Sequence, residues 1–305
     1  MPTFPTNDPH RLATAAVVVG VDGSEAADLA VRWAAETASQ HNRRLHIVHG
    51  LDLAASAELL GIYEIMAPAV TDTLRQRGVD LVTTARRLAH QVDPSLVVET
   101  EVSEANPARL LICRSKTAYL VALGTAGHGA PSGYLGSTLL AVTSHGRGSI
   151  VVVRDTGTEQ RTRRVGPVVV GLDGSQHSEP AAAAAFAEAS ERRTQLVAVH
   201  AWGDLFFDRF AGDSYTIPDN DAQIAGQAII AEQLAGWQEK YPDVQVIRKV
   251  YQFGPQRALI EWSGSAQLVV VGSRGRGGFR GLLLGSTSNS LVQRAHCPVM
   301  VVHPA

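Results

Sequence analysis

Residues 166–175 read GPVVVGLDGS, and residues 15–24 read AAVVVGVDGS. In the earlier copy Ala15 to Val21 is a short β-branched run that reads as a buried strand, and Ser24 reads as the cap of a following helix. Ala26, Leu29, Ala30, Trp33, Ala34 and Thr37 then recur at 3.6-residue spacing as one helix face. The near identity of the two stretches extends outward. LHIVHG (45–50) falls on LVAVHA (196–201), YLVALGTAGHG (119–129) on QLVVVGSRGRG (267–277), and LGST (135–138) on LGST (284–287). Order and spacing are kept throughout, and a period near 150 residues is far too long for a solenoid unit. The chain is therefore a duplicated domain. An N-terminal extension (1–14) precedes the first copy (15–154), and the polar, charged run DTGTEQRTRR (155–164) links it to the second (165–305).

Each copy alternates short β-branched runs with longer helical stretches, which signals a parallel sheet. In the first copy the strands are expected at 15–21, 45–49, 96–102, 118–124 and 150–153. Helices are expected over 68–91, from Asn106 and from Ser137. Leu268 to Val271 is wholly apolar and suits a sheet centre, whereas Val244, Val246, Arg248 and Val250 mix a charge with apolar residues and suit an edge. Right-handed crossovers favour two tandem copies of an open, doubly wound, five-stranded parallel α/β sheet of Rossmann-like form.

Length, at 305 residues, fits two ordinary domains. A net charge of -2 gives no footprint for nucleic acid or an anionic membrane surface, and no apolar run is long enough to span a bilayer. With no secretory leader pattern at the N-terminus, a cytoplasmic location is expected. Cys113 and Cys297 stand at non-equivalent points of the two copies, so neither a disulfide nor a thiolate metal site is expected, and both read as small core residues. No metal ligand set is nameable.

The second copy carries the run GSRGRGGFRGLLLGST (272–287) between a buried strand and a helix. Glycines let backbone amides approach an anion, the helix starting near Ser286 offers unpaired N–H groups, and Arg274, Arg276 and Arg280 add charge. Each element favours phosphate. Asp173 follows the first strand of the same domain, and if the two strands are neighbours both features open at the carboxyl edge where such sheets bind ligands. The plain alternatives are a solvated turn for the loop and an Asx turn for Asp22 and Asp173.

At these residues the sequence resembles the universal stress protein family in its tandem form, over nearly the whole chain. The family's ATP-binding members carry G-x2-G-x9-G-S/T, which Gly272, Gly275, Gly285 and Ser286 match. The resemblance implies the adenine nucleotide alpha hydrolase-like variant of the fold. It implies that Asp173 and the backbone around Val199 hold adenine and ribose, and that Gly272, Gly275, Gly277, Gly285, Ser286 and Thr287 hold the phosphates. ATP, accompanied by magnesium, is the implied ligand. The matching first-copy positions are Asp22, Val48, Gly124, Gly127, Gly136, Ser137 and Thr138.

The first copy departs from the motif. Only eight residues separate Gly127 from Gly136, and Ala126, His128 and Ala130 replace Arg274, Arg276 and Gly278, so the second copy is the first expectation for binding. Near the last strand, Gly148-Ser149 stands opposite Cys297-Pro298, a difference read as one of packing.

The expected function is regulatory ATP binding in a stress response. A slow ATPase or nucleotidyl-transfer enzyme on the same fold is one alternative. Against it, neither loop carries a Walker A lysine, and no nucleophile elbow is present. A nucleotide-free interaction module is the other. The resemblance also suggests an internal pseudo-dimer through the final strands and association of two chains. The segments 52–67 and 202–218 differ most between the copies. Trp202, Phe206, Phe207, Phe210 and Tyr215 read either as a partner patch or as a lid on the core.

Overall fold

The valine-rich runs are apolar on both faces, so they fold as strands that helices cover from both sides. In a computed structural model, described over residues 15–53, 68–125, 135–156, 162–202, 219–252, 254–275 and 284–304, the chain divides into two compact units that part between Arg154 and Asp155.

The first unit runs β1 (Val17–Gly20), α1 (Glu25–Gln40), β2 (Leu45–Gly50), α2 (Pro68–Val92), β3 (Val98–Ser103), α3 (Pro107–Ser115), β4 (Leu120–Gly124), α4 (Ser137–His145) and β5 (Ser149–Val153). Its strands lie in the order β3-β2-β1-β4-β5, all parallel, with Val17 opposite both Leu45 and Leu120. The chain moves outward from β1 to β3 and then returns to β4 on the other flank. The carboxyl ends of β1 and β4 therefore flank the switch point. Helix α1 packs with α2, and α3 with α4, each pair covering one face.

The second unit repeats this plan. It runs β6 (Val168–Leu172), α5 (Glu179–Glu191), β7 (Leu196–Ala201), α6 (Asp219–Leu234), the short α7 (Trp237–Lys240), β8 (Val246–Tyr251), α8 (Pro255–Ser263), β9 (Leu268–Gly272), α9 (Ser286–Arg294) and β10 (Val299–Val302). The order is β8-β7-β6-β9-β10, again parallel. β9 is interior and β8 lies at the edge, as their apolar and mixed sequences require. Val168, Val169, Val170, Leu268, Val269 and Val270 are fully buried.

Ser24 caps α1, its hydroxyl accepting from the Ala27 amide at 3.1 Å. The buried face of α1 is broader than the periodic reading. It takes in Ala27, Val31, Ala35 and Ala38, whereas Ala26 is only half-buried. Cys297 is buried in the core, but Cys113 is exposed, which corrects the expectation of two core cysteines. Its place on α3 follows Leu110 and Leu111, which turn inward, and leaves the thiol on the outer side of the helix.

In the second unit Pro180 occupies the first turn of α5, the one part of a helix that tolerates its missing N–H. Helix α5 consequently begins three residues later than α1 when the two D-G-S turns are matched. The carbonyl of Ser24 accepts the first α1 bond, from the Asp28 amide at 3.0 Å. Its counterpart on Ser175 instead accepts from the amide and hydroxyl of Ser178, at 3.1 and 2.9 Å, within a turn that precedes the helix.

No helix among the described residues is long and apolar enough to cross a membrane. Residues 1–14 lie outside the described residues, as do most of the two divergent segments, including Phe206, Phe207, Phe210 and Tyr215.

Candidate functional site

In the first unit a cleft of about 170 Å³ opens at the carboxyl ends of β1, β2 and β4. It gathers six residues singled out from the sequence, Asp22, Val48, Gly124, Gly136, Ser137 and Thr138. Gly127, the seventh, lies outside the described residues.

Asp22 leaves β1 in the D-G-S turn, which Gly23 closes with a φ of 81°. Its Oδ1 accepts the Ser24 amide at 3.0 Å, so the Asx turn is present and fixes the carboxylate at the rim. Val48 is buried to 1% and paired with Gly20 on β1, so its backbone, not its side chain, is what β2 brings to this edge. Gly136 caps α4 with extended dihedrals and no side-chain bond, and no acid stands in the first turn of that helix. The amides at its start are therefore left to an acceptor from outside the helix.

The N-termini of α1 and α4 both meet the cleft, and their chemistry differs. At α1 the amides are capped by Ser24, and Glu25 and Asp28 occupy the first turn. Burial pushes the Asp28 carboxyl up; Arg32 opposes this, and Asp22 and Glu25 add to it. This end is acidic and suits hydroxyls, a base edge or a cation. The α4 end is uncapped and suits an anion.

In the second unit the same elements bring Asp173 to Gly275. A Cβ on Gly275 would lie 2.6 Å from the Asp173 Oδ2, so the glycine makes room for the carboxylate. Asp173 Oδ1 accepts the amide and hydroxyl of Ser175 at 3.0 and 2.7 Å. Arg274 is exposed beside it. Helix α9 starts at Ser286 and Thr287 behind Gly285, with no side-chain cap and no acid in its first turn. The Gly285 amide donates to the Ser273 carbonyl at 2.7 Å, tying the loop's end to its beginning. Val199 is buried to 2% on β7, paired with Gly171. Arg276 and Gly277 lie outside the described residues.

Gly124 and Gly272 have a different reason to be glycine. A Cβ on Gly124 would sit 2.5 Å from the Ala26 carbonyl, and one on Gly272 2.8 Å from that of His177. In both units the chain entering α1 or α5 lies against the end of the strand. The first glycine of the motif thus serves packing.

A model of the universal stress protein family matches residues 15–154 and again 165–303. The chain belongs to the universal stress protein family. A universal stress protein of Mycolicibacterium smegmatis is 40% identical over 294 residues, covering 94% of this chain and 97% of that protein. One from Mycobacterium tuberculosis is 38% identical over 290 residues, covering 93% and 95%. A solved universal stress protein from Archaeoglobus fulgidus shares the fold at a TM-score of 0.67 and 17% identity, covering 95% of this chain and 98% of that one.

Sequence reasoning missed several residues that shape the first site of this universal stress protein. His49 and Gly50 line the cleft beside Val48. The His49 ring lies 2.7 Å from the Val21 carbonyl through Nδ1, as His200 does with Leu172 at 2.8 Å, which holds each ring against the base of a D-G-S turn. Gly50 admits α3 so closely that a Cβ would stand 2.8 Å from the Ala105 carbonyl. Pro107, Leu110 and Leu111 of α3, with Leu123, supply the apolar wall. The matching histidines in LHIVHG and LVAVHA were the available signal.

Proposed function

We propose that this universal stress protein binds an adenine nucleotide, ATP with magnesium, and that occupancy rather than turnover is its activity. The observation that supports this reading is the pairing, in one cleft, of an acidic rim at Asp22 with an uncapped helix start at Ser137 and Thr138. The two ends differ in charge preference, as the two ends of a nucleotide do. The amides of Ser137, Thr138 and Leu139 would receive the phosphates, and the Asp22 carboxylate with the backbone of Val48 to Gly50 would receive ribose and base. The second unit offers the matching set, Asp173 and Val199 at one end and Gly275, Gly285, Ser286 and Thr287 at the other.

Among the described residues no group of three or more His, Cys, Asp or Glu could hold a metal. A magnesium ion, which neutralises phosphate charge when bound, would take most of its ligands from phosphate oxygens and water, with Ser137, Thr138, Ser286 and Thr287 as the protein hydroxyls at hand.

Thermal unfolding with and without ATP and magnesium tests the reading. At a hundred times its dissociation constant the ligand adds about 2.7 kcal/mol to the unit that holds it. A unit of this size then shifts by about 5–10 °C. Asp22→Ala is expected to remove the shift of the first unit, and Asp173→Ala or Gly275→Val that of the second. No shift in the unaltered protein, with no nucleotide released on denaturation, would overturn the proposal.

A further inference from the structure

The two D-G-S turns are held in different ways. Gly78 and Gly226 occupy matching places on α2 and α6, since a Cβ on either would strike the equivalent strand residue, Val102 at 2.9 Å and Val250 at 2.5 Å. Seven residues beyond them stand Ala85, buried to 3%, and Gln233. In the first unit α2 brings the apolar Leu81 to the turn, its Cδ2 2.7 Å from where a Gly23 Cβ would lie, and the alanine at the place of Gln233 carries no amide. In the second unit Gln233 reaches the turn with its whole amide. Its Oε1 accepts the Gly174 amide at 3.0 Å, and its Nε2 donates to the Ser175 carbonyl at 2.9 Å and to the Ser178 hydroxyl at 2.7 Å. The partners fix the amide's orientation, because an N–H can only meet the oxygen and a carbonyl only the nitrogen.

Pro180 creates the need. By delaying the start of α5 it leaves the Ser175 carbonyl and the Ser178 hydroxyl in a turn outside the helix. Gly174 adopts a φ of 78° there, and Asp173 is held by Ser175. A long turn of this kind is compliant unless something outside it supplies bonds.

We infer that Gln233 is a positioning residue of the second site, setting the Asp173 carboxylate in place before a nucleotide arrives, a contact that Ala85 cannot supply to the first site. The inference rests on the nucleotide reading above. Binding at the second site then loses less to ordering the turn.

Amide hydrogen exchange on the full chain, titrated with ATP and magnesium, reads both turns separately through peptides covering 22–28 and 173–179. In Gln233→Ala, exchange at 173–179 is expected to be faster without ligand. The ATP concentration that protects this segment is expected to rise about ten-fold, the equivalent of one or two hydrogen bonds, while that for 22–28 is unchanged. Gln233→Glu keeps the stem but loses the donor and is expected to behave likewise. Faster exchange with unchanged ATP dependence, or equal weakening of both segments, would overturn the role of Gln233 while leaving nucleotide binding intact. Absence of protection at both segments in the unaltered protein would instead overturn the nucleotide reading, and this inference with it.

Discussion

At the scale of single residues, the glycines of one motif divide by what surrounds them. Gly124 faces backbone at 2.5 Å, whereas Gly285 has its nearest neighbour, the Ser273 carbonyl, at 3.4 Å and adopts φ -66° and ψ 153°, open to any residue. Gly124→Ala is therefore expected to destabilise the first unit by about 1–3 kcal/mol in urea unfolding. Gly285→Ala is expected to stay within about 0.5 kcal/mol of the unaltered protein. The glycines, the two aspartates and the serine and threonine of each LGST stood out in the sequence because the chain repeats them in the same order. Gln233 did not, because its contacts join residues some 58 positions apart through side-chain atoms. Nor does the loop spacing that favoured the second copy describe the first cleft, whose walls come from α3 and the end of β2.

At the scale of elements, the strands of the first copy were readable to within two residues at each end, and most sharply where a run is apolar on both faces. Helix starts depended on capping chemistry: Ser24 and Asn106 both accept from amides of the helices they begin. Helix α5 holds a feature that periodicity does not display. Glu188 and Arg192, exposed to only 1% and 8%, pair at 2.9 Å one turn apart. Arg192 also reaches Gln267 at 3.4 Å. Replacing Arg192 by Met leaves a buried carboxylate and is expected to cost about 3–5 kcal/mol, read as a loss of denaturation midpoint in the second unit. The double variant Glu188→Leu with Arg192→Met is expected to recover most of that loss.

At the scale of the whole molecule, duplication supplies an internal control. His46 on β2 is half-buried beside Glu101, at 3.2 Å, with Arg114 on the far side of that carboxylate at 2.6 Å. Burial pushes the His46 imidazole below its ordinary value; Glu101 opposes this and Arg114 adds to it. The unfolded chain thus takes up the proton more readily than the folded one. The contribution is fully present above the unfolded value, near pH 6.5, and is lost as pH falls through it towards the folded one. Val197 stands at the matching place on β7. Calorimetry between pH 5 and 8 is expected to show this loss in the first unit's transition, and His46→Val to remove it.

The glycines that end β4 and β9 bear on how such a gene ages. A descendant released from any ligand would be free to let Gly136 or Gly285 drift, since extended backbone accepts other side chains. It would still be obliged to keep Gly124 and Gly272, because the chain leading into each first helix rests on them. Half of the motif records ancestry and packing, and only the other half can record a trade still practised.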